Sequence, residues 1–140
     1  MRQILLFALL TASLALLSGC ALSKTKADTA EDRPDKAAYH KISAEEAYEM
    51  MASQEVVVVD VRTREEYDGG HIENAVLVPN ENIGSEMPEA LPDKEAPLLV
   101  YCRSGRRSKD AAEKLLALGY QSVYDFGGVI DWPYELVKEG

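Results

Sequence analysis

What this chain has little of narrows its chemistry first. Only two cysteines and two histidines occur in 140 residues, and once Cys20 is set aside for lipidation, as read below, too few ligands remain for a Cys/His metal site. No metal and no cofactor are expected. Positive charge is also short: 15 Lys and Arg face 24 Asp and Glu, for a net charge of −9. So acidic a chain suits neither nucleic acid nor electrostatic adhesion to anionic lipid. Long apolar runs are scarce too. Ile4 to Leu17 is almost entirely apolar, yet it is too short for a membrane-spanning helix. No internal repeat or low-complexity tract is evident. The length still allows one domain with a full hydrophobic core.

The N-terminus has its own logic. Met1-Arg2-Gln3 is a short basic start, Ile4 to Leu17 follows, and Leu17-Ser18-Gly19-Cys20 supplies small residues where a peptidase needs them. Residues 1–19 therefore read as a secretion signal. The Leu-Ser-Gly-Cys end resembles the lipobox of bacterial lipoproteins. That resemblance implies diacylglycerol on Cys20, cleavage before it, and a mature protein held at the membrane of the cell envelope by its lipid alone. In a host with two membranes it would face the periplasm. Residues 20–38 are rich in Lys, Asp, Glu, Ala and Thr, contain Pro34 and have almost nothing apolar to bury, so they read as a flexible tether. Lipidation uses up Cys20 and leaves Cys102 without a partner for an intramolecular disulfide. A single free thiol in an oxidising compartment points to reactivity.

Residues 39–140 form the expected domain. His40 to Ile42 reads as an edge strand, and Ser43-Ala44-Glu45-Glu46 as a capping box opening a helix to about Met51. Val56 to Val59, ending in Asp60-Val61-Arg62, has the β-branched run of a buried parallel strand. A short helix over Arg64 to Tyr67 and a short strand over Ala75 to Val78 follow. Asn80 to Lys94 is polar, with two prolines, and reads as loop with one helical turn. Leu98 to Tyr101 is a buried strand, after which Cys102-Arg103-Ser104-Gly105-Arg106-Arg107 turns into a helix read from Ser108, with Gly119 as its C-cap. Gln121 to Phe126 is the last strand, Gly127-Gly128 a turn, and Val129 to Val137 a short helix interrupted at Pro133. Strands alternating with helices imply a parallel α/β sheet with helices on both faces. Ligands bind such sheets beyond the carboxyl ends of the strands, where both Cys102 and Asp60 stand. A cysteine between a strand end and a helix N-terminus meets converging N–H groups and a favourable dipole, both of which stabilise a thiolate.

Four segments resemble the single-domain rhodanese-like sulfurtransferases. They are Val59-Asp60-Val61-Arg62 with Glu65-Glu66-Tyr67, Gly70 to Ala75 up to Pro79, Val100 to Ser108, and Gly127 to Trp132. They occur in the family's order and spacing. The resemblance implies a five-stranded parallel sheet flanked by helices, with Cys102 carrying sulfur as a persulfide. It implies a small anionic sulfur donor such as thiosulfate, a thiol or cyanide-like acceptor, and a monomer. Arg103 and Arg106 are the expected donor-binding side chains, and Ser104, Gly105 and Ser108 complete the cradle around the sulfur. Gly105 would supply a positive φ. Arg107 would hold the loop from within, paired with Asp60, while Arg62 and Glu66 would form a supporting ion pair of roughly 0.3–0.5 kcal/mol if exposed. His71 and Trp132 read as structural.

Two other functions fit parts of this pattern. Cys-dependent phosphatases and arsenate reductases place five residues between Cys and Arg, whereas Arg107 follows Cys102 after four, and Tyr101 rather than His precedes it. A loop one residue short suits a sulfur atom better than a tetrahedral phosphate. Rhodanese-like domains also serve as sulfide carriers, redox sensors or inactive interaction modules. An intact cysteine loop argues against the inactive class only.

Overall fold

Short apolar runs, separated by caps and turns, assemble into a single sheet. The computed structural model describes residues 37–138; the expected signal, Cys20 and the tether up to residue 36 lie outside the described residues. The elements follow as β1 (Ala38–Lys41), α1 (Ala44–Ser53), β2 (Val57–Asp60), α2 (Arg64–Asp68), β3 (Val76–Leu77), β4 (Leu98–Cys102), α3 (Arg106–Ala117) and β5 (Ser122–Gly128), with 3-10 turns at Asn80–Asn82 and Val129–Asp131. All five strands run parallel, in the order β1-β5-β4-β2-β3. This is the expected α/β architecture, and none of the helices among the described residues is long and apolar enough to cross a membrane.

The central strand β4 is buried along its whole length. Its side chains alternate between two cores, as the pleat requires. Leu98, Val100 and Cys102 pack with Ala111, Ala112 and Leu115 of α3. Leu99 and Tyr101 pack with Ala47 of α1, Tyr67 of α2, Phe126 and Trp132. Cys102 thus leaves the sheet at its carboxyl edge, on the α3 side.

Several boundaries differ from the sequence reading, each for a physical reason. β1 begins at Ala38, within the stretch read as tether, because its pairing with β5 starts at Ser122. α3 begins at Arg106 rather than Ser108, since Gly105 at φ 99° turns the chain directly into the helix. Gly127-Gly128 is no turn but the end of β5. A bulge there skips Phe126, pairing Val100 with Asp125, Tyr101 with Gly127 and Cys102 with Gly128. The last expected helix shrinks to the turn Val129–Asp131, and Val137 pairs with His71 instead, its N–H donating to the His71 carbonyl at 2.8 Å. Finally, the polar stretch Asn80 to Lys94 sends Ile83 and Leu91 into the α3-side core. Isolated apolar residues in a polar loop carry no periodicity to reveal that.

Candidate active site

Cys102 ends β4, and the chain turns through Arg103-Ser104-Gly105 into α3. The left-handed Gly105 brings its N–H back onto Cys102 Sγ at 3.0 Å. Cys102 itself is only 1% exposed. Burial pushes its thiol pKa up, but the N–H groups of Ser108, Gly105 and Ser104 outweigh burial and hold it below the ordinary thiol range. The first turn of α3 contains no carboxylate, and Gly105 offers no side-chain cap. Its unpaired N–H groups are therefore left to the sulfur. Beneath the loop lies the backbone of β5: a Cβ on Gly128 would collide with the Arg103 carbonyl and stand 2.6 Å from Ser104 Cα.

The supporting charges are all present, but with partners exchanged. Arg107 pairs with Glu66, not Asp60: Nη1 donates to Oε2 at 2.7 Å and Nη2 to Oε1 at 2.8 Å. Arg62 pairs with Asp60, not Glu66, through Nη2 to Oδ2 at 2.6 Å, and also donates to the Gly70 carbonyl at 2.8 Å. The cause is local geometry. Asp60 and Arg62 both turn inward at the end of β2, at 0% and 5% exposure, and a buried carboxylate needs its cation close by. Glu66 sits in the first turn of α2, where it answers the Thr63 cap and still reaches Arg107 across to α3. The Arg107 hydrogen bonds hold its carboxyl down at about 2. Asp60 thus lies beneath Arg62 and is not an open group of the crevice.

On the outer side, Arg103, Ser104 and Arg106 are exposed, and among the described residues neither of these arginines makes a salt bridge. A cleft of about 350 Å³ opens beside the loop, lined by Arg62, Glu65, Glu66, Arg103, Val129, Ile130 and Leu136 among others. A larger cavity, of about 980 Å³, runs along α1 and Trp132 to Glu135 with none of the loop residues in its wall; the thiol chemistry is not there. His71 is buried, stacked on Tyr67 at 3.6 Å, and its Nδ1 donates to the Tyr67 carbonyl at 2.9 Å, the structural role expected of it. Among the described residues no cluster of three metal-ligating side chains forms.

Sequence reasoning missed Asp125. It lies on β5, 1% exposed, and accepts the Ser108 hydroxyl at 2.7 Å. The available signal was its setting, an acidic residue among buried strand neighbours, where strands avoid Asp. The close approach at Gly128 was missed as well, because paired glycines also signal a turn.

The family model described as "Rhodanese-like domain" matches residues 43–133, well over half of the chain. A rhodanese from E. coli, solved with anions, is 34% identical and superposes with a TM-score of 0.56 over 61% of this chain and 100% of that one. A human single-domain sulfurtransferase is 26% identical, with a TM-score of 0.59 over 66% of this chain and 93% of that one. A tRNA uridine(34) hydroxylase of Yersinia pestis is 31% identical over 106 residues, 72% of this chain but 30% of that protein. The chain thus spans less than a third of the length of such curated relatives.

Proposed function

The chain belongs to the rhodanese-like family, and on that footing we propose that it is a sulfurtransferase working through a persulfide on Cys102. The observation that carries this reading is the Gly105 N–H on Cys102 Sγ at the acid-free start of α3. The Cys102 thiolate attacks the outer sulfur of thiosulfate, forming a new S–S bond, while the old S–S bond breaks and its electron pair leaves with sulfite. The negative charge passes to the terminal sulfur of the persulfide, where the loop N–H groups solvate it as an oxyanion hole would. A thiolate or cyanide then attacks that terminal sulfur, carries it off, and returns the Cys102 thiolate. Exposed Arg103 and Arg106 attract the dianionic donor, and Arg107 on Glu66 holds the loop. The test is steady-state formation of sulfite and thiocyanate from thiosulfate and cyanide. Repeated turnover lost in Cys102→Ser supports a catalyst; a single stoichiometric transfer means a carrier, and none at all overturns the reading. Cys102-dependent aryl phosphate hydrolysis at a rivalling rate would favour the phosphatase instead.

From the lipobox-like Leu17-Ser18-Gly19-Cys20 we also propose that the protein is held, as a monomer, on the exported side of a bacterial membrane through lipid on Cys20. Cys20→Ala is expected to abolish lipidation and membrane fractionation. A wild-type protein that is wholly soluble, with its N-terminus at Ala21 or later, contradicts this.

A further inference from the structure

Asp125 is buried directly under the catalytic loop, yet no step of sulfur transfer uses it. Its acceptor positions are all taken. Oδ1 accepts the Ser108 hydroxyl at 2.7 Å and the Gly127 N–H at 2.9 Å. Oδ2 accepts the Tyr39 hydroxyl at 3.0 Å and faces the Lys41 ammonium at 3.3 Å. An ionised carboxylate only accepts, at about four lone-pair sites, so this set of donors is matched to the anion. One oxygen therefore serves the loop and the other serves the edge strand β1. The loop side bears on the sulfur. The Gly105 N–H lies 3.0 Å from the Cys102 sulfur, the Ser108 and Gly105 N–H groups both hold the thiol pKa down, and Gly127 lies under Gly105, with its Cα 3.5 Å from where a Gly105 Cβ would be. The single Ser108 hydroxyl proton has its shortest contact with Asp125, ahead of the Gly105 carbonyl at 3.0 Å and the Gly127 carbonyl at 3.4 Å.

We propose that Asp125 is a positioning residue for the chemistry of Cys102. It fixes Ser108 and Gly127 so that the loop N–H groups stay aimed at the sulfur, and it ties the loop to β1 through Tyr39 and Lys41. The inference rests on Cys102 acting as a thiolate, whatever sulfur donor it meets. The charged and titratable groups around the pair are Tyr39 and Lys41 of β1, Glu113 of α3, which acts on Tyr39, and Arg107, which acts on Cys102. Tyr39 is pushed up to about 12 by burial and by Asp125, so it remains a hydroxyl donor across the range of the test.

The experiment follows the pH dependence of Cys102 alkylation by iodoacetamide in the full chain, which reads the thiolate without any sulfur transfer. Asp125→Ala should raise the apparent pKa by about one unit, the scale of one lost interaction with the anion. Asp125→Asn should raise it by less, because its carbonyl can keep both loop donors and only the acceptor for Tyr39 and the exposed Lys41 on the β1 side is lost. Ser108→Ala should raise the pKa too, and the double variant with Asp125→Ala should shift it by less than the sum. An unchanged or lowered pKa in Asp125→Ala, or shifts that simply add, would overturn the proposal. Should Asp125→Ala fail to fold, Lys41→Met carries the test from the exposed side of the same carboxylate. A rise of a few tenths supports the coupling and no rise overturns it. Failure of sulfur transfer in the wild type, with these shifts intact, would count against the proposed function and not against this inference.

Discussion

The helices of this domain begin in two different ways. α1 and α2 are closed by their own sequence: Ser43 and Thr63 accept the N–H of Glu46 and Glu66, whose carboxylates answer the cap N–H in return. α3 starts on Gly105 with no side-chain cap and no acidic residue, and places Arg106 and Arg107 in its first turn. By helix electrostatics that start is unfavourable until an anion meets it. The group that meets it here is the Cys102 sulfur, reached by the Gly105 N–H at 3.0 Å and held below the ordinary thiol pKa. On the proposed function, the helix start left open by its own chain is the reactive site, and the two closed ones are scaffold. Glu66 links the kinds, capping α2 while clamping Arg107 on α3.

The comparison breaks most completely at the floor of the open start. Gly128→Ala should force Arg103 and Ser104 off the β5 backbone. The expected loss is about 3 kcal/mol or more, because the clash is with backbone rather than a flexible side chain. Denaturant unfolding measures it, and sulfur transfer should vanish with it.

Next comes the clamp. Arg107→Ala should cost about 2 kcal/mol, the worth of charged hydrogen bonds, and slow reaction with every sulfur donor alike. The pH dependence has a definite sign. Glu66 titrates at about 2 in the fold, below its unfolded value of about 4.3. Its stabilisation is therefore complete at neutral pH and is lost as the pH falls through 4 toward 2. Arg107→Ala should flatten the stability curve over that interval, which urea titrations at stepped pH would read.

The exposed rim should matter less and more selectively. Arg103→Ala and Arg106→Ala should slow reaction with thiosulfate but hardly affect a neutral persulfide donor. Added salt should slow the wild type in the same selective way, since exposed charges are screened over about 10 Å at 0.1 M. Second-order rates with each donor distinguish steering from decoration: equal losses with both donors would mean that these arginines shape the loop.

The smallest effect belongs to a closed start. Ser43→Ala should cost about 1 kcal/mol of stability and leave the alkylation rate of Cys102 unchanged. A change in that rate would mean that the closed starts also tune the sulfur.

The sheet was legible because its signals are local. Val56 to Val59 and Leu98 to Tyr101 are short apolar runs of the length and makeup of buried strands, and the Ser43 cap lies within one turn of its partner Glu46. The cysteine loop was legible for the same reason. The ion pairs were not, because Arg107 and Glu66 are 41 residues apart and only the packing of α2 against the start of α3 joins them. Arg62 and Glu66 have ideal helical spacing, but Arg62 precedes the helix and turns inward to Asp60. Asp125 was not legible as part of the site, because its contact with Ser108 joins β5 to α3 across 17 residues and leaves no local pattern.

The most direct test of the account is the intact mass of the protein after thiosulfate and again after cyanide. The wild type should gain the mass of one sulfur atom and then lose it, while Cys102→Ser should show no change at either step. Sulfur retained by Cys102→Ser, or a wild type that takes up none, would contradict the claim that the open start of α3 exists to hold a sulfur anion.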